Sequence, residues 1–149
     1  MIGEKIVCLK NVGPVQLKDA DSKCGSLNSH QVLPRTKQES DDLVPALLSL
    51  GLASKDENTL VSIGIHRTKD GGWHDYTDQL ITYFNWLPNE PDLIGDRNHT
   101  GLWIDRASGA AGWADYSGTE ELNVVCMKCQ NKGKNITCYI RLKNCEVSW

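Results

Sequence analysis

The strongest chemical signal in this chain comes from acids placed around a proline. Glu90-Pro91-Asp92 sets one carboxylate on each side of Pro91, and Trp113-Ala114-Asp115 offers a third from a stretch that reads as a strand. Carboxylates are hard oxygen donors, and a calcium ion takes about six to eight oxygens. A proline-fixed turn that brings Glu90 and Asp92 together, closed by Asp115 from a neighbouring strand, therefore reads as a calcium cradle. Acids crowded in this way without a cation repel one another, which raises a pKa. The same residues also fit an exposed polar loop that holds no metal.

Other reactive residue types point away from catalysis. His30, His66, His74 and His99 have no spacing that pairs them with a nucleophile or a metal, and no glycine-rich phosphate loop occurs, so the chain is not expected to be an enzyme. The six cysteines, Cys8, Cys24, Cys126, Cys129, Cys138 and Cys145, form an even set that predicts a disulfide framework and an oxidising, extracellular compartment. A competing reading takes Cys126-Met127-Lys128-Cys129 with Cys138 and Cys145 as a four-thiolate zinc set. The sequons at Asn98 and Asn135 suggest a glycoprotein.

Composition bounds the rest. With 149 residues, 40% hydrophobic and 23% charged, the chain suits one domain over residues 1–130, followed by a cysteine-containing extension over 131–149. A net charge of −3 excludes a general nucleic-acid binder. Only the tail is basic, with Lys128, Lys132, Lys134, Arg141 and Lys143. The one apolar run near the start, Ile6 to Leu9, is too short for a signal peptide, so the chain reads as a mature or excised domain, secreted or the extracellular part of a larger protein. No apolar run reaches the length of a membrane span.

The elements that must position the acids follow from pattern. Ile2 to Leu9 alternates as a strand ended by Pro14, and Asp19 to Leu27 forms a short helix burying Ala20, Cys24 and Leu27. Thr36 and Glu39 make a capping box for a second helix with Leu43, Val44, Leu47 and Leu48 on one face, which Pro45 is expected to disturb. Leu60 to Ile65 reads as a buried strand. From Gly71 to Gly101 the pattern is that of a long loop, ordered by embedded aromatics, with Trp86 and Trp113 packing beneath it. Strands follow at Leu102 to Asp105, Gly112 to Asp115 and Leu122 to Lys128.

Taken together, these pieces resemble the C-type lectin-like domain over roughly Glu4 to Lys128. The residues that carry the likeness are Cys24 after Asp19-Ala20, the strand Val61 to Ile65, Trp73 and Tyr76, the run Tyr83-Phe84-Asn85-Trp86, Glu90-Pro91-Asp92, Trp113-Ala114-Asp115, and Asn123 to Cys126. The resemblance implies an α+β fold in which two helices flank small antiparallel sheets beside a long ordered loop region. It also implies a Cys24–Cys126 disulfide. Cys8–Cys129 and Cys138–Cys145 are then a possible pairing of the remainder, four cysteines allowing three connectivities.

Sugar-binding relatives hold calcium between a Glu-Pro-Asn or Gln-Pro-Asp triplet, a nearby acid and a Trp-Asn-Asp strand. By position the resemblance makes Glu90, Asp92 and Asp115 ligands to calcium and to a glycan, with Asp96 or Asn98 as the loop ligand. This chain departs from the pattern twice: Ala114 stands where the asparagine belongs, and the triplet has no amide. The implied partner is a glycan or cell-surface glycoprotein, as in adhesion. The alternative is a protein ligand recognised without calcium by the same loop face.

Overall fold

The structure, a computed structural model, describes residues 6–130 and 141–142, and the side chains of 8–54 and 56–128. In chain order the elements are β1 (Ile6–Gln16), α1 (Leu17–Gly25), β2 (His30–Gln31), α2 (Lys37–Leu48), β3 (Ser54–Lys55), β4 (Asn58–Arg67), β5 (Trp73–His74), β6 (His99–Asp105), β7 (Ala111–Tyr116), β8 (Glu121–Gln130) and β9 (Arg141–Leu142). The described strands join one mixed sheet in the order β7-β6-β4-β8-β1-β9, with β2 on β8 and β3 and β5 on β4. The fold is α+β, and the two helices match the expected number.

Pro14 does not end β1. The strand absorbs it with a bulge between Asn11 and Gly13, where Gly13 takes φ 87° and donates its N–H to Asn11 Oδ1 at 2.9 Å. Beyond the bulge Pro14 lies opposite Asn123 on β8, and among the described residues β9 pairs with Ile6 and Val7 and no strand pairs on the other side of Pro14, a position that tolerates a missing donor.

The start of α2 follows the expected cap with one change. Thr36 Oγ1 accepts from Glu39 N at 3.1 Å, while Glu39 Oε2 reaches back past the N-cap to Arg35 N at 2.6 Å. Pro45 lies inside the helix without terminating it. It lies on the exposed face, away from the buried Leu43, Val44 and Leu47.

The core forms because α2 and the inner face of the sheet bury the same apolar set. Leu43, Leu47, Val61, Ile63, Leu102, Ile104, Trp113 and Val125 are all essentially inaccessible. A second cluster of Ala20, Cys24, Val124 and Cys126 seats α1 on β8, and there Cys24 is bonded to Cys126 across 102 residues of chain. That bond commits the Cys126 sulfur and removes the four-thiolate zinc reading. Cys8 is also disulfide-bonded. The expected Cys8–Cys129 and Cys138–Cys145 pairings lie outside the described side chains. β4 and β8 touch in register only at Val61 and Asn123, and the Asn123 amide reinforces this contact by donating to Ala53 O at 2.7 Å and Leu60 O at 2.9 Å.

The long loop leaves the sheet after β5 and returns at β6. Its exit is held by Asp75, fully buried, whose carboxylate accepts from Thr77 N at 2.8 Å, Thr77 Oγ1 at 2.6 Å, Gln79 N at 3.1 Å and Arg35 Nη2 at 3.0 Å. Burial alone would raise this carboxyl, but those donors outweigh it and hold its pKa below the ordinary aspartate range.

Two predictions follow from these anchors. Replacing Cys24 and Cys126 together by alanine should cost about 2–5 kcal/mol in urea unfolding. Asp75→Ala should cost about 2–4 kcal/mol at neutral pH, because buried N–H groups lose their acceptor. A depressed folded pKa gives stability that is present above the unfolded value and lost as pH falls through the folded one, so the gap between wild type and Asp75→Ala should narrow in acid. Equal gaps at neutral and acidic pH would show that Asp75 is not bonded as an anion.

Candidate metal and ligand site

The loop meets the sheet through its aromatic stretch. Trp113 N donates to Asn85 O at 2.8 Å and Leu87 N donates to Trp113 O at 2.9 Å, so residues around Trp86 run alongside β7 as a parallel bridge. Gly112 makes the approach possible: a Cβ there would lie 2.5 Å from Leu87 Cδ2. Trp113, fully buried, is packed edge-on by Tyr83 and Trp86, each with centroids 5.7 Å away, and Trp86 packs on Trp73 at 5.0 Å. Trp86 and Trp113 thus serve as packing beneath the loop, in agreement with the expectation.

Two residues beyond this bridge the chain turns sharply. Glu90 N donates to Leu87 O at 3.0 Å, Asn89 takes φ 66°, and the Glu90–Pro91 peptide is cis. Asp115, 2% exposed, then accepts from Asp92 N at 3.1 Å through Oδ1 and from Leu93 N at 2.9 Å through Oδ2. As a result Glu90, Asp92 and Asp115 each bring an oxygen within 4.8 Å of the other two.

The three acids differ in how they are satisfied. Both Asp115 oxygens already hold backbone donors. Asp92 Oδ1 accepts from Ile94 N at 3.2 Å, and Oδ2 faces Arg97 Nη1 at 2.6 Å. Glu90 Oε2 is buried with no donor. Burial first, then hydrogen bonding with Asp115 and repulsion from Asp92 and Asp115, raises the Glu90 carboxyl above the ordinary glutamate range. An acceptor without a donor, among like charges, suits a cation. The donor set is all carboxylate, which suits a hard one. Ala114, 7% exposed, adds no side-chain oxygen.

Asp96 and Asn98 are not part of this group. Asp96 Oδ2 accepts from Ser117 Oγ at 3.3 Å, and Asn98 Oδ1 accepts from Arg67 Nε at 3.3 Å, with Arg67 N bonded to Asn98 O at 2.8 Å. Asn135 lies outside the described residues. Arg97 was not anticipated at all; its only sequence signal is a lone base among loop acids, five residues after Asp92.

Glu90→Gln should raise the melting temperature of the ion-free protein at neutral pH. A raised folded pKa gives stability that is full below the unfolded value and lost as pH rises through the folded one, and the amide escapes that loss. The gain should vanish below the ordinary glutamate range. A gain that persists there would assign it to something other than charge.

Comparison with known proteins agrees with this architecture. The Lectin C-type domain family matches residues 14–128. Rat Regenerating islet-derived protein 3-gamma is 28% identical over 114 residues, 72% of this chain, and the chain spans 62% of the length of that relative. The mouse Scavenger Receptor C-type Lectin carbohydrate-recognition domain superposes with TM-score 0.67 at 22% identity, covering 86% of this chain and 92% of that one. The C-type lectin domain of murine dendritic cell inhibitory receptor 2, solved in complex with an N-glycan, superposes with TM-score 0.65 at 16% identity over 83% of this chain and 91% of that one. At such identities the two structures speak for the fold.

Proposed function

The chain belongs to the Lectin C-type domain family, and from that premise we propose that it is an extracellular recognition domain that binds carbohydrate through calcium held by Glu90, Asp92 and Asp115. The observation that carries the proposal is the convergence of these carboxylates around a buried Glu90 oxygen that has no donor. A disulfide joining α1 to β8 supports an oxidising compartment, and the glycan bound by the murine structural relative supports the ligand class.

In this reading calcium would supply coordination positions for a pair of sugar hydroxyls. The chain's own residues do the rest. Asp115 fixes the turn through the Asp92 and Leu93 amides, and so sets where Glu90 and Asp92 point. Ionised carboxylates only accept hydrogen bonds, so Glu90 and Asp92 favour hydroxyls that can donate to both. Ala114 leaves the site one oxygen short, which favours weak binding of the ion.

A second reading is recognition of a protein without calcium. What favours it is the Asp92–Arg97 ion pair, which already neutralises one acid, beside Leu93 and Ile94, 44% and 65% exposed on the same turn.

Calorimetric titration with calcium separates the two. The first reading expects binding with Kd of about 10⁻⁴–10⁻³ M, as for other extracellular modules. In Asp115→Ala, checked for folding by circular dichroism, the heat should disappear. No heat from the wild type would leave the calcium-free reading.

A further inference from the structure

We propose that Arg97 is a tethered cation that competes with calcium for Asp92 and thereby sets the ion concentration at which the site loads; this rests on the calcium reading above. Arg97 Nη1 lies 2.6 Å from Asp92 Oδ2, and the two side chains are 35% and 28% exposed. The other Asp92 oxygen accepts from Ile94 N at 3.2 Å. Every oxygen that Asp92 can offer an ion is therefore already engaged, one of them by a full positive charge.

The guanidinium keeps its charge at any pH at which the protein folds, so it does not leave by deprotonation. An ion that takes Oδ2 must displace Arg97 or accept a like charge at contact distance. The loop favours the pair in the ion-free state. Leu93 at φ 58° and Gly95 at φ 63° fold the segment back so that Arg97 faces Asp92, and Ser117 Oγ at 3.3 Å from Asp96 Oδ2 ties the neighbouring residue to the end of β7. Neither Asp115 nor Glu90 has a cationic partner of this kind among the described residues. Asp92 is thus where the protein's own cation and an external one compete.

The test measures ion affinity and stability in the whole chain, without any sugar. Terbium luminescence, sensitised by the tryptophans under the loop, and its displacement by calcium give apparent Kd values for wild type, Arg97→Gln and Arg97→Lys. Melting temperatures are read in chelator and in saturating calcium. Arg97→Gln should bind both ions roughly three- to tenfold more tightly, because an exposed ion pair and its repulsion of the incoming ion are removed. Arg97→Lys, which keeps the charge, should stay near wild type. Arg97→Gln should also melt lower than wild type in chelator and recover more on adding calcium, as linkage requires.

Unchanged or weaker binding in a folded Arg97→Gln protein, with wild type binding, overturns the competition and leaves the calcium reading standing. Equal tightening in Arg97→Lys also overturns it. Silence from both wild type and Arg97→Gln removes the competition and the calcium reading together. Binding by Arg97→Gln alone supports the competition and moves the native protein to the calcium-free reading.

Discussion

One buried carboxylate holds the functional loop in place. Asp115 sits on β7 at 2% exposure, and its two oxygens take the N–H groups of Asp92 and Leu93. A charge at that depth persists only where donors meet it, and charge-assisted bonds to backbone N–H are among the stronger ones available. The register of β7 therefore decides where the turn sits. Trp113 takes the incoming loop through two backbone bonds, and Asp115, the next residue on the same face, takes the outgoing turn. A carboxylate has about four lone-pair sites, so holding two amides leaves Asp115 capacity for an ion.

The same physics recurs at the loop's other end. Asp75 is buried completely and gathers Thr77, Gln79 and Arg35 around its oxygens just after the chain leaves β5. Between the two acids the loop lies on Trp113, Trp86 and Trp73, so apolar area supplies attraction while the acids supply direction. This division lets the turn carry mismatched charge. The core under α2 runs on into these aromatics, and neither it nor the covalent tie between α1 and β8 includes Glu90 or Asp92.

Local chemistry was readable in the sequence where one short-range rule decides the outcome. Thr36 and Glu39 cap α2, the apolar spacing of Leu43, Val44 and Leu47 faces the core, and an even cysteine set gives a disulfide. The grouping of Glu90, Asp92 and Asp115 was readable from acids flanking a proline and one on a nearby strand, whereas the Cys24–Cys126 pairing came through family likeness, because nothing local fixes a partner 102 residues away. Where rules compete, the pattern misleads. Pro14 reads as a strand end, yet a bulge and an edge position absorb it, and Pro45 reads as a helix breaker, yet its face is exposed. Asp96 and Asn98, which the resemblance offers as the loop ligand, bond Ser117 and Arg67 in the folded loop, partners that no local pattern announces. Positive φ at Asn89 and Leu93 steers the turn, and Leu is not a residue from which such a φ is read in advance.

Charge balance decides what this turn does. Three acids with one guanidinium leave an excess of negative charge, and the excess falls on Glu90, whose buried oxygen has no donor and whose carboxyl is raised. A proton, a divalent ion or a donor from a partner each relieves that excess, but they do so at different oxygens. The proton satisfies Glu90 and leaves the Asp92–Arg97 pair intact, so the turn then presents Leu93 and Ile94 beside a neutralised patch, a surface suited to a protein. In the proposed calcium-bound state an ion would draw on the three acids and compete with Arg97 for Asp92, and the turn would then offer coordination positions suited to hydroxyls. Ala114 weakens the second state by withholding an oxygen, while the extra acid in the triplet strengthens it. On the proposed readings the choice between these states would lie with the acids and Arg97 rather than with the fold that carries them.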